Sequence, residues 1–145
     1  MRTDREKYLK LTDCLCATMR RSARKISQIY NEHLNQSGEK INANQVSILV
    51  TLSQIEKGTL SELSNQLNME RTTLTRNLSV LDKSGWIKIY SGEDGRMKLT
   101  KLSSKGNQVL DKILPYWEKA QNQTKKLLGE DLKIFQDNLK KITIL

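Results

Sequence analysis

The chain has 145 residues, with 25 lysines and arginines against 16 aspartates and glutamates, a net charge of +9. That length suits one domain with a real but modest core, and the positive excess favours a polyanionic partner. No stretch reaches the roughly eighteen apolar residues of a membrane span, and the opening Met1-Arg2-Thr3-Asp4-Arg5-Glu6-Lys7 is too charged for the core of a signal peptide, so no membrane partner and a cytoplasmic location are expected.

The first predicted element is one long helix from Asp4 to Asn35, with Tyr8, Leu11, Leu15, Met19, Ile26, Tyr30 and Leu34 at steps of three and four over most of it. Ser37-Gly38 breaks it. A second helix is expected from Ala43 to Ile55, capped by Asn42 and buried through Val46, Leu49 and Leu52. Thr59-Leu60-Ser61-Glu62 is a capping box, in which hydroxyl and carboxylate satisfy backbone amides at a helix start, and Leu60, Leu63 and Leu67 follow at helical spacing. Asn68 tolerates left-handed backbone angles and ends that helix. The next runs from Met69 or Glu70 to Ser84, with Leu74, Leu78 and Leu81 on one stripe and Gly85 as its stop.

Trp86-Ile87-Lys88-Ile89-Tyr90 reads as a strand, Ser91-Gly92-Glu93-Asp94-Gly95 as a turn, and Arg96 to Lys101 as the returning strand. Ser103 caps a helix that continues past Pro115, where the missing amide should kink it, towards Leu128. The last helix places Leu128, Leu132, Phe135, Leu139 and Ile142 at alternating steps of four and three. A stripe of that length exceeds what a small winged core can bury, so it is expected to meet the first helix and a partner subunit.

Two short helices, a tight turn and a basic-tipped hairpin outline a winged helix-turn-helix within residues 42–102, with reader helices over 59–84 and a wing over 86–101. The fold class is mainly α (α+β), and residues 1–36 and 104–145 are expected to form long N- and C-terminal dimerisation helices of a single domain over 1–145. Opposite the leucine stripe of the second reader helix lie Thr72, Arg76, Ser79 and Lys83, flanked by Thr73 and Thr75. Short hydroxyl side chains with an arginine are the types that read base edges in a major groove. Thr72, Thr73, Thr75 and Arg76 are therefore assigned to bases, and Arg71, Asn77, Lys83 and Lys98 to phosphates. Arg96 at the wing tip suits a minor groove, and Asp94 is expected to orient it by pairing with it.

The ordered set Arg71-Thr72-Thr73-Leu74-Thr75-Arg76-Asn77-Leu78, Gly85, Asp94-Gly95-Arg96, Leu102-Ser103 and Gly106 resembles the MarR family of bacterial transcriptional regulators over nearly the whole chain. The resemblance implies a homodimer that binds double-stranded DNA, with the recognition helix in the major groove and the wing arginine in the minor groove. It further implies repression of nearby genes until a small ligand or an oxidant releases the protein. A ligand would sit where the winged part joins the dimer helices, with Trp117, Tyr30 and Met19 as candidates and ordinary core as their other reading. One branch of the family senses organic hydroperoxides through a cysteine of the first helix, and aligning on Arg24 and Tyr30 puts Cys16 there. Of three tyrosines expected around that cysteine only Tyr30 is kept, while Arg20 and Ala43 stand at the other two places.

Two readings of Cys16 stand. Exposed beside Arg20 and Arg21, its thiol would be activated; buried, it is a small hydrophobe. On one continuous helix Cys14 and Cys16 lie about 200° apart and cannot bridge each other. His33 is the single histidine, without zinc-ligand spacing, and its expected place is on the surface or at an interface; no phosphate loop or nucleophile–base pattern occurs, so neither enzyme activity, a cofactor nor a metal is expected. The basic run Arg20 to Lys25 spreads around the helix as a solvated face. The alternative to a DNA-binding regulator is a winged-helix protein-interaction module using the same surface; against it stands the polar, cationic reader face without an aromatic anchor.

Overall fold

Leucines at helical spacing organise the centre of the fold. The computed structural model describes residues 4–144, so positions 1–3 and 145 of the two expected terminal segments lie outside the described residues. A short helix α1 (Asp4–Lys7) and a 3-10 turn (Leu9–Asp13) lead into α2 (Leu15–Asn35), α3 (Ala43–Gln54), a two-residue strand β1 (Gly58–Thr59), α4 (Leu60–Leu67) and α5 (Arg71–Lys83). Strands β2 (Ile87–Ser91) and β3 (Lys98–Leu102) follow, then α6 (Ser104–Leu128), a second 3-10 turn (Gly129–Asp131) and α7 (Leu132–Thr143).

Leu49 and Leu52 of α3, Leu63 of α4, Leu74, Leu78 and Leu81 of α5, Ile87 of β2 and Ile113 of α6 share one cluster, none more than 5% exposed. Removing each such side chain from water contributes about 1.5–3 kcal/mol. Helices α3 and α4 start where side chains cap them. Asn42 and Gln45 exchange hydrogen bonds at the start of α3, and Thr59 and Glu62 do the same for α4, the Glu62 amide donating to Thr59 Oγ1 at 3.2 Å and the Thr59 amide to Glu62 Oε2 at 2.8 Å. Asn68 closes α4 at φ 47°, and Gly85 ends α5 at φ 75°, both left-handed.

The sheet is antiparallel in the order β1-β3-β2, with Gly58 opposite Thr100 and Ile87 opposite Leu102. Strand β1 has no counterpart in the expected elements, since two residues are too few to leave a period of two. The first wing strand is shifted by one residue, and the returning strand starts two residues later than expected: Arg96 and Met97 belong to the loop. The Gly92 amide donates to Met97 O at 2.7 Å, and the Asp94 carboxylate accepts the amides of Arg96 and Met97, which takes these residues out of the ladder.

The N-terminal helix is also not continuous. Cys14 is extended, at φ −77° and ψ 116°, and separates the 3-10 turn from α2. The Thr12 hydroxyl donates to Leu9 O at 2.6 Å, a local bond that competes with helix continuation. Around it Tyr8, Leu9, Leu11 and Leu15 are 52–71% exposed, so no packing inside the chain offsets the cost of a longer helix. Cys14 therefore precedes α2 and Cys16 is its second residue, and the argument that keeps the two thiols on separate faces of one helix does not hold.

Candidate nucleic-acid interface

Helix α5 buries Leu74, Leu78 and Leu81, and this fixes which of its side chains face outward. Thr72, Thr75, Arg76, Ser79 and Lys83 are exposed; Thr73 and Asn77 are half-buried on the flank. The Asn77 side chain donates one amide hydrogen to Thr73 O at 2.9 Å, which leaves its second hydrogen for an outside acceptor. Arg71 opens the helix and is exposed, its guanidinium donating to Ser61 Oγ of α4 at 2.8 Å. Ser61 had no assigned duty in the sequence; the signal was its place in the first turn of α4, where a short hydroxyl reaches the neighbouring helix start. Glu70 offers α5 no side-chain cap, so the positive end of the helix stands beside Arg71.

Strand β2 packs beside α5, which brings the wing next to the reader helix. Arg96 and Lys98 are exposed there, with Glu93 and Asp94 in the turn. Asp94 does not hold the Arg96 guanidinium. Its Oδ1 accepts the Arg96 amide at 3.1 Å and the Met97 amide at 3.4 Å, so it shapes the loop and leaves the arginine side chain without that partner. Lys101 lies 5.3 Å above the Tyr90 ring, a cation–π contact on the wing itself.

On the other side of α3 a cavity of about 360 Å³ opens between α2, α3 and α6, lined by Ile26, Ser27, Tyr30, Ala43, Val46 and Trp117 among others, with no charged side chain in its lining. Tyr30 and Trp117 meet edge to face with ring centroids 6.4 Å apart. The Tyr30 hydroxyl donates to Gln121 Oε1, and burial pushes its phenol up from the ordinary 10.0 while a Thr124 hydrogen bond pulls the other way. Met19, the third candidate, does not line this cavity. His33 is half-buried rather than on the open surface, its Nε2 2.7 Å from Gln123 Oε1 and its Nδ1 buried without a partner.

Cys14 and Cys16 are both free and exposed, so the small-hydrophobe reading of Cys16 does not describe this chain on its own. Arg20, Arg21, Arg24 and Lys25 are all exposed around α2. Among the described residues no group of three or more His, Cys, Asp or Glu side chains comes together to hold a metal, and no helix is long and apolar enough to cross a membrane.

Residues 41–98, the segment that carries α3, both reader helices and most of the wing, match the model of the MarR family. The HTH-type transcriptional regulator YwoH of Bacillus subtilis is 35% identical over 92 residues, covering 63% of this chain and 66% of that protein. The transcriptional repressor MprA of Escherichia coli is 32% identical over 122 residues, covering 82% of this chain and 66% of that protein. The matched parts thus span just under two thirds of the length of these relatives. Among solved structures, the M. tuberculosis transcriptional regulator MosR in complex with DNA superposes with a TM-score of 0.78 at 34% identity, covering 90% of this chain and 94% of that one. Agreement in the winged core and in the helices outside it has one reading: the chain belongs to the MarR family.

Proposed function

We propose that the chain is a sequence-specific, double-stranded-DNA-binding transcriptional repressor that works as a homodimer on an inverted repeat. The observation that carries this reading is the outward face of α5, which is polar and cationic, beside a wing that exposes Arg96 and Lys98. Support comes from MosR, a relative of similar length whose structure was solved with DNA. Thr72, Thr73, Thr75 and Arg76 read bases, and Arg71, Asn77, Lys83 and Lys98 hold phosphates. Arg96 enters the minor groove from a loop shaped by Asp94. Residues 42–102 read DNA, while 1–36 and 104–145 join two copies. Support for the second part is α7, which buries no residue within one chain and leaves Phe135 and Ile142 43% and 47% exposed. The two readers then face half-sites about one helical turn, ~34 Å, apart.

The cavity beside Tyr30 and Trp117 is the effector site of this reading. It lies between the helices that join subunits and the helix that backs the reader, so filling it changes the distance between the two readers. Its uncharged lining selects a neutral aromatic or aliphatic compound over an aromatic acid, whose carboxylate would find no counter-charge there. Oxidation of Cys16, exposed in the first turn of α2, is a second route to release that the same geometry supports.

A salt titration tests the central claim. Binding to a duplex selected from random sequence should weaken with a log–log slope of about 0.9 per phosphate contact, and so steeply for several contacts. A shallow slope would instead favour a protein-interaction module. Adding peroxide or neutral aromatic compounds to the bound complex then separates the two routes of release.

A further inference from the structure

Helix α5 ends in a paired stop, with the Gly85 amide donating to Asp82 O at 2.9 Å and the Trp86 amide to Leu81 O at 3.1 Å. The carbonyls of these same two residues are both taken by Ser103. Its hydroxyl donates to Gly85 O at 2.6 Å and its amide to Trp86 O at 3.0 Å. The same hydroxyl oxygen accepts the Gly106 amide at 3.0 Å and so caps α6. One side chain therefore joins the turn that ends the reader helix to the first turn of the helix that runs back along α2.

Gly106 makes the junction tighter still. It is buried, and a Cβ at this position would stand 2.1 Å from Trp86 O and 2.6 Å from a Leu102 methyl. The first of these neighbours is backbone, which cannot swing aside as a flexible side chain would. Between α5 and α6 there is thus a contact of main chain on main chain, with a hydroxyl that must donate and accept at once.

We propose that Ser103 is a positioning residue that fixes the direction of α5 against α6 and so determines which half-site spacing the protein accepts. The inference rests on the dimeric DNA-binding reading above. If α6 belongs to the part that joins two copies, a rotation at this clasp moves the two readers apart or together, while the contacts of each reader with its own half-site persist. Spacing and base preference are then separable properties, and Ser103 acts on the first. A threonine keeps both the donor and the acceptor. An aspartate still caps α6 by accepting the Gly106 amide, but it has no hydrogen to give to Gly85 O.

The test uses the full chain and duplexes in which two selected half-sites are separated by steps of one base pair around about one helical turn. In the wild type the best spacing should exceed its neighbours by on the order of tenfold in affinity, and Ser103→Asp should shrink that contrast to within about threefold. The penalty for a substituted base inside a half-site should stay at the wild-type value, and Ser103→Thr should restore the contrast. Thermal melting of Ser103→Asp close to that of the wild type keeps loss of folding out of the result. A wild-type spacing contrast in Ser103→Asp overturns the proposal, and so does a parallel loss of base discrimination, which would make Ser103 a general support. A wild-type protein indifferent to spacing overturns the dimeric reading itself, an outcome visible before any variant is made.

Discussion

The winged core and the terminal segments differ in how much of their apolar surface the chain can use by itself. Between Ile41 and Ile113 most of the large apolar side chains share one core: Leu49, Leu63, Leu74 and Leu81 are fully buried, and every helix start in this stretch except that of α5 carries a side-chain cap. Before Met19 and after Leu128 the pattern reverses. Helix α7 buries nothing, and Leu11, Leu15 and Ile134 are more than 60% exposed. The same helical spacing of leucines therefore means two things: a core where neighbours from other elements are present, and an open seam where they are not.

Five substitutions, one of them read in a pH series, press on that contrast. The largest effect is expected for Leu74→Ala, which removes a fully buried side chain from the point where α5 meets the cluster; a loss of about 2–5 kcal/mol should appear in denaturant unfolding. Its counterpart Phe135→Asp should leave the unfolding of the winged core nearly unchanged yet move the protein towards a monomer in sedimentation. Equal destabilisation by both would erase the distinction between core and seam. Next comes Arg76→Ala, exposed on the reader face, expected to cost about 1–3 kcal/mol on the selected site and to relax preference at one base position. An equal loss on random duplexes would turn Arg76 into a phosphate contact.

Thr59→Ala should cost about 0.5–2 kcal/mol in unfolding, because it removes the acceptor for the Glu62 amide, with little change in base preference. The smallest effect concerns Tyr30. Its phenol is held above the ordinary 10.0 by burial, so folding favours the protonated form; the contribution is complete below pH 10 and is lost as pH climbs through the raised value. Tyr30→Phe should flatten that alkaline decline in a pH series of thermal melts, and an unchanged decline would assign it to other groups.

Where the core was self-sufficient, it was also legible. Thr59 with Glu62, Asn68, the leucines of α5 and Gly85 each carry a local physical signal, and neighbouring elements reinforce it, so the expected and observed helices agree to within a residue or two. At the N-terminus the spacing of Tyr8, Leu11 and Leu15 promised a helix, but periodicity says nothing about whether anything is there to pack against, and the backbone breaks at Cys14. In the wing the chemistry of Asp94 was visible while its partner was not. A carboxylate two residues before an arginine suggests an ion pair, yet the main-chain amides are closer in the loop and need no side chain to be ordered. Gly106 stood in the sequence only as one residue of the family resemblance; the approach of the Trp86 carbonyl gives its reason.

The Asp94 bonds have an evolutionary corollary. The shape of the wing loop is written in its main chain and in one acid, with the Gly92 amide closing it on Met97 O, and none of those bonds uses the side chain at position 96. A single codon change at that position leaves the loop standing and alters only what it presents. The wing is therefore a mount with an exchangeable tip, whose side chain can change without refolding the mount.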